Sequence, residues 1–174
     1  ISPGANVRLG FTNLSVDATV NPDFSQVESD ASQVTVNERF ALFYPEKRPF
    51  FLEGIELFAT PNQLVYTRQI VDPIVGGKLT GKVGKTGIAV LSAADTTSDG
   101  HAWVNVARLR QDFGSDSLAG LTFTDRESAG AFNRVVAADA RWVFGRLYYV
   151  LGQAGGSWTE RNGTISSSPM WQAE

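Results

Sequence analysis

The sequence predicts a mainly β protein. It reads as an antiparallel β-meander, a partial or small barrel of about seven to nine strands, with one or two short helices near residues 32–58. Three observations carry this. Glycine is generous (17 residues), aromatics make up 11% and there is a single methionine, a balance that suits pleated, half-buried strands. Several segments alternate polar and apolar residues with a period of two. Glycine-bearing connections separate them, and glycine supplies the positive φ that tight hairpin turns demand.

Asn6–Phe11 and Leu14–Val20 read as the first two strands, around a polar turn at Thr12-Asn13. In the second, Leu14, Val16, Ala18 and Val20 share one side, and Ser15, Asp17 and Thr19 the other. Pro22 ends it. From Ser32 to Phe43 the spacing becomes helical, with Val36, Phe40 and Phe43 on one face and Glu38 opposite. Pro45 closes this helix, because the residue before a proline is pushed out of the helical region. Glu46–Gly54 reads as extended and irregular, and Glu53–Phe58 as a second short helical turn.

After Pro61 the pattern becomes a continuous meander. Leu64–Ile70 is expected as a strand. Val75–Lys82 and Thr86–Ala94 form a hairpin over Val83-Gly84-Lys85, and Trp103–Gln111, Leu118–Thr124, Asn133–Phe144 and Leu147–Gly155 follow as strands. Connections near Gly84, Gly114 and Gly145 read as short, those at Thr96–Gly100 and Asp125–Ala131 as longer and polar. That asymmetry, and the strand lengths, match outer-membrane barrels. Asn133–Phe144 puts Val135, Ala137, Asp139, Arg141 and Val143 on one face. The other holds Arg134, Val136, Ala138, Ala140, Trp142 and Phe144, and fits lipid or a second protein layer equally.

At 174 residues the chain is expected to be a single β-rich domain, 1–174. Its abrupt start at Ile1-Ser2-Pro3-Gly4 and its end just after Met170-Trp171 read as cuts through a longer barrel protein. A net charge of −3 argues against nucleic acid as a partner. Without cysteine there is neither a disulfide framework nor a cysteine-ligated metal site. No apolar run approaches the roughly 20 residues of a membrane-spanning helix.

Candidate chemistry is sparse. Gly76–Thr86 approximates a phosphate loop in two registers and satisfies neither: Val83 stands where Ser or Thr is needed in one, Leu79 where Gly is needed in the other. A β-hairpin is the simpler reading. His101, the sole histidine, would have to anchor any triad or metal site, with Asp99 or Ser98 beside it. Asp95–Asp99 and Asp112–Asp116 lack the ligand pattern of a calcium loop and read as turns. Glu46, Glu53 and Glu56 hold the carboxylates that glycoside hydrolysis needs in a pair roughly 5–9 Å apart. Lys47 and Arg48 offer those carboxylates a structural role instead, fixing the irregular segment to the sheet with Phe50, Phe51 and Leu52 buried beneath it. Among the aromatics Trp103, Trp142, Tyr148, Tyr149, Trp158 and Trp171, the two in polar surroundings, Trp158 and Trp171, are the candidates for a partner contact.

The segments Asn21-Pro22-Asp23, Tyr44-Pro45-Glu46-Lys47-Arg48-Pro49-Phe50-Phe51, Tyr66-Thr67-Arg68-Gln69-Ile70 and Gly76-Gly77-Lys78-Leu79-Thr80-Gly81 resemble the β-barrel region of the DUF5916 family, from about Leu14 to Ser92. The resemblance implies a protein of the bacterial cell envelope, on its periplasmic side or in the outer membrane. The family's barrels usually follow a family-9-like carbohydrate-binding domain. It carries over no catalytic, metal or cofactor residue. The function expected is that of a non-enzymatic scaffold, stabilising a larger membrane-associated complex (respiratory or photosynthetic, for example) through contacts with other protein subunits. The alternatives are an outer-membrane barrel portion linked to carbohydrate binding or uptake, in contact with membrane or detergent, and a glycoside hydrolase-like enzyme using the acidic residues. The residues expected to matter are Glu46, Lys47, Arg48, Phe50, Phe51, Glu53, Trp158 and Trp171.

Overall fold

In the computed structural model, residues 4–22, 24, 45–98, 100–114, 116–145 and 147–174 are described. Nine strands form one open antiparallel sheet in sequence order. They are β1 (Ala5–Gly10), β2 (Leu14–Val20), β3 (Pro73–Val83), β4 (Thr86–Thr97), β5 (Gly100–Phe113), β6 (Ser117–Ser128), β7 (Ala131–Phe144), β8 (Tyr148–Arg161) and β9 (Thr164–Ala173). The helix expected over Ser32–Phe43 lies outside the described residues. Gly84, Gly114 and Gly145 adopt φ of 61°, 64° and 59° and mark one end of the sheet, as the spacing predicts.

Four expectations about the strands, helices and connections need correction. Leu64–Ile70 is not a strand: it is irregular, with a 3-10 turn at Thr67–Gln69, and the meander resumes at Pro73. Its backbone groups are taken by its own 3-10 turn and by side chains. Thr60 Oγ1 accepts from Leu64 N at 3.0 Å, and Arg48 takes the carbonyls of Thr67 and Ile70, leaving no ladder to join. The connections at 96–100 and 125–131 are not long loops, since β4, β5, β6 and β7 run through most of those residues. Pro49–Leu52 is a four-residue helix, α1, where an extended segment was expected; the 3-10 turn at Ile55–Leu57 matches the predicted helical turn.

The fourth is β9, which the Ser166-Ser167-Ser168 run and Pro169 disguise. Leu151 and Glu174 exchange both N–H···O bonds at 2.9 Å. Alternation along the ladder then puts Pro169, opposite Gly156, in a pair that exchanges none. The proline nitrogen faces the free edge of the sheet, where β8 asks for no donor.

Residues 45–72 lie across one face of this sheet, here called the inner face. Phe50, Phe51, Phe58 and Ile70 pack there on Ala89, Leu91, Ala93 and Val106. Each buried phenylalanine contributes about 2–3 kcal/mol. Leu52, expected beneath the segment, is 40% exposed, because the single turn of α1 aims only Phe50 and Phe51 at the sheet.

Candidate functional site: the inner face and its inset

The inset is braced from within by Arg48, which is 1% exposed. Its Nε and Nη2 donate to the two carboxylate oxygens of Glu46 at 2.9 and 2.8 Å. Nη2 also reaches Thr67 O at 2.9 Å, and Nη1 reaches Ile70 O. The guanidinium lies 4.2 Å from the Phe51 ring centroid, and Thr67 Oγ1 donates to Glu46 at 2.6 Å. One cation thus joins the start of the inset to its end. Such planar, forked recognition is specific to arginine.

Burial alone would push the Glu46 carboxyl up, but hydrogen bonds from Arg48 and Thr67 and the Arg48 charge outweigh it and bring the pKa down to about 2. A carboxyl that ionises more readily when folded stabilises the fold fully above its ordinary value of 4.5, and that stabilisation is lost as the pH falls through about 2. It is worth about 3 kcal/mol. Acid titration followed by protease sensitivity within 45–72 is expected to show the inset loosening between those two pH values, and Glu46→Gln to remove the transition. A transition unchanged in the variant would refute this.

The sheet holds the inset by its backbone. Lys78 Nζ, on β3, donates to the carbonyls of Phe50 and Glu53, and Asp17 Oδ2 stands 4.0 Å from it. Asp95 accepts from Asp72 N at 2.7 Å, Arg126 donates to Gln69 O at 3.2 Å, and Gln153 Oε1 accepts from Asn62 N at 2.6 Å. Glu53 pairs with Arg8. Lys47 is exposed, and its backbone N–H donates to Glu46 at 3.0 Å.

Beneath the inset lies a buried ion pair. Arg108 donates to Asp139 at 2.6 and 3.0 Å and to Thr122 Oγ1 at 2.6 Å, tying β5 to β7 across β6. Gly120 makes room for it, since a Cβ there would come within 2.9 Å of both Arg108 Nη2 and Asp139 Oδ1.

Of the expected residues, Glu46, Arg48, Phe50 and Phe51 come together in the inset and Glu53 joins its rim. Trp158 and Trp171 stand on the opposite, outer face, 42% and 83% exposed. His101 is exposed at the start of β5, and Gly76–Thr86 is the β3–β4 hairpin. Among the described residues no cluster of His, Cys, Asp or Glu is arranged to hold a metal. Asp17, Lys78, Arg108, Asp139 and Gln153 escaped the sequence reading. Their shared signal is parity: each sits on the strand face opposite the large apolar residues.

The inset and strands β1–β3 fall within one family match, over residues 1–86, to a domain of unknown function. Residues 1–86 belong to the DUF5916 family. No curated protein and no solved structure matches the chain. The DUF5916 segment contains the Arg48–Glu46 brace and the Lys78 anchor. β4, apart from Thr86, and the strands β5–β9 lie beyond it.

Proposed function

We propose that this chain forms a section of the wall of an outer-membrane β-barrel, with residues 45–72 set into its lumen, and that it works without turnover chemistry. The carrying observation is an inversion of polarity across the sheet. A water-soluble sheet covers its apolar face and leaves its polar face open. Here the covered face carries buried Asp17, Lys78, Arg108 and Asp139, while Val7, Leu9, Leu109, Leu121, Val136 and Val150 are exposed on the open one. All four tryptophans share that open face by register. An apolar surface of this extent marks a membrane or partner contact.

The distribution along the strands favours lipid. On β5–β8 the charges of the outer face, Asp125, Glu127, Arg134 and Glu160, gather near one rim, with Trp103 and Trp158 among them. Trp142, Phe144 and Tyr148 stand at the other end, where Phe144 and Tyr148 stack with centroids 5.8 Å apart. From Arg134 to Phe144, at about 3.3 Å per residue and a tilt of roughly 40°, β7 spans about 25 Å, the height of a lipid-facing band between aromatic girdles. No helix among the described residues is long and apolar enough to cross a membrane, so strands would do the crossing.

The open edges support a wall that continues. As first and ninth strands of an antiparallel series, β1 and β9 run the same way. Pairing them directly would be parallel, so an all-antiparallel closure requires an odd number of further strands. The same edges, with Trp171, favour the second reading, a scaffold that docks on a protein subunit. The carboxylates of the hydrolase alternative are engaged, Glu46 by Arg48 and Glu53 by Arg8, which favours a structural role for both.

Tryptophan fluorescence separates the first two readings. In vesicles, lipids brominated on their acyl chains are expected to quench strongly and an aqueous quencher weakly. The reverse order would leave the outer face to a protein partner. Leu121→Arg, in the middle of the band, is expected to cost about 2–4 kcal/mol in the membrane. A negligible cost would count equally against lipid contact.

A further inference from the structure

The inner face is divided. From β1 to β7 its charges stand in ion pairs or grip the inset, Arg8 and Lys78 at Asp17, Arg126 at Asp95, Arg108 at Asp139, except Arg141, which lies over the Tyr149 ring near the Glu174 rim. On β8 and β9 the character changes. Between the rim residues Arg161 and Glu174 no charged side chain occupies an inward position, and those positions include Ser157, Thr159, Ser166, Ser168 and Gln172. The serine run is split by the pleat, Ser166 and Ser168 inward and Ser167 outward. The inset grips β8 through the bond from Asn62 to Gln153, and past that point Ser166, Ser168 and Gln172 are exposed on the inner face.

We propose that the inward face of β8 and β9 lines an aqueous passage beside the inset, suited to small neutral polyhydroxy solutes. The inference rests on the barrel reading. Hydroxyl and amide groups both donate and accept, so they can replace water around a solute's own hydroxyls. With no fixed charge on this strip, an ionic solute gains no compensation for the water it sheds, and a neutral one meets no electrostatic barrier. The charged half of the face is occupied in holding the inset. The two halves thus divide anchoring from conduction.

The chain has no cysteine, so an introduced thiol is its only thiol reporter. The native protein, reconstituted in vesicles, would carry Ser157→Cys or Ser168→Cys, cross-strand neighbours on the inner face, or Ala154→Cys on the outer face beside Trp171. A membrane-impermeant maleimide is expected to label the two inner positions an order of magnitude faster than position 154. A bulky label at 157 or 168 is then expected to slow the uptake of a neutral monosaccharide several-fold, and the unlabelled protein to pass that sugar several-fold faster than its sugar acid. Rapid labelling at 154 would overturn the barrel reading itself. Shielding at 154 with unreactive inner thiols, or with labelled thiols and unchanged sugar flux, would overturn the passage alone. Equal flux of sugar and sugar acid would overturn its selectivity.

Discussion

Arg48→Met is expected to release the 45–72 inset from the sheet at a cost of about 3–5 kcal/mol, the range for removing one partner of a buried ion pair. Methionine approximates the volume but supplies no donor. It would take from Glu46 its buried cationic partner, from the carbonyls of Thr67 and Ile70 the guanidinium donors, and from Phe51 the cation on its face. Arg48→Lys keeps the charge and loses the fork, so an intermediate loss is expected. Two measurements check this: denaturant unfolding, and limited proteolysis for new cleavage within 45–72 while the strand signal persists. Wild-type stability and protease resistance in Arg48→Met would show that the apolar contacts of Phe50, Phe51, Phe58 and Ile70 hold the inset unaided.

Asp139→Ala should cost a similar 3–5 kcal/mol, for a different reason. Arg108 is 2% exposed, and its guanidinium would remain under the inset with Thr122 as its neutral partner. The double variant Arg108→Met with Asp139→Leu is expected to recover most of the loss, because replacing both members of a buried pair by apolar side chains is often neutral. If the double variant were as damaged as the single one, the pair's role would lie in aligning β5 with β7 and not in charge compensation. Gly120→Ala is a milder probe of the same pair, since its methyl group would press on both partners.

Much of the sheet was legible because alternation and turn glycines agreed from Val75 to Gly155. The outer face was legible too: the row Arg134, Val136, Ala138, Ala140, Trp142 and Phe144 is the face now seen exposed. Leu64–Ile70 misled because apolar content there serves packing, while its carbonyls go to Arg48 and not to a neighbouring strand. The rims misled because Asp125, Glu127 and Ser128 look like loop residues although they continue β6. Within the inset, Phe50 and Phe51 stood out as apolar residues in a charged context. Asp17, Lys78, Arg108 and Asp139 did not, since each resembles a solvated polar residue on an amphipathic strand. Only when the inset docks does that face become the covered one, and no local pattern encodes a contact such as Asn62 with Gln153.

The placement of the inset also constrains the order of assembly. It leaves the sheet after β2 and returns as β3, so two strands that lie side by side are separated by a connection of about 50 residues, and closing that gap carries an entropic cost that local hairpins avoid. The hairpins from β3 to β9 can form early and locally, whereas β1 and β2 join only when the inset folds back. The inset then reaches from Lys78 on β3 to Gln153 on β8, across six strands that must already be in register to receive it. In the barrel proposed above, edges that closed first would shut the inset outside, so the inset would have to be in place before the last strands come round.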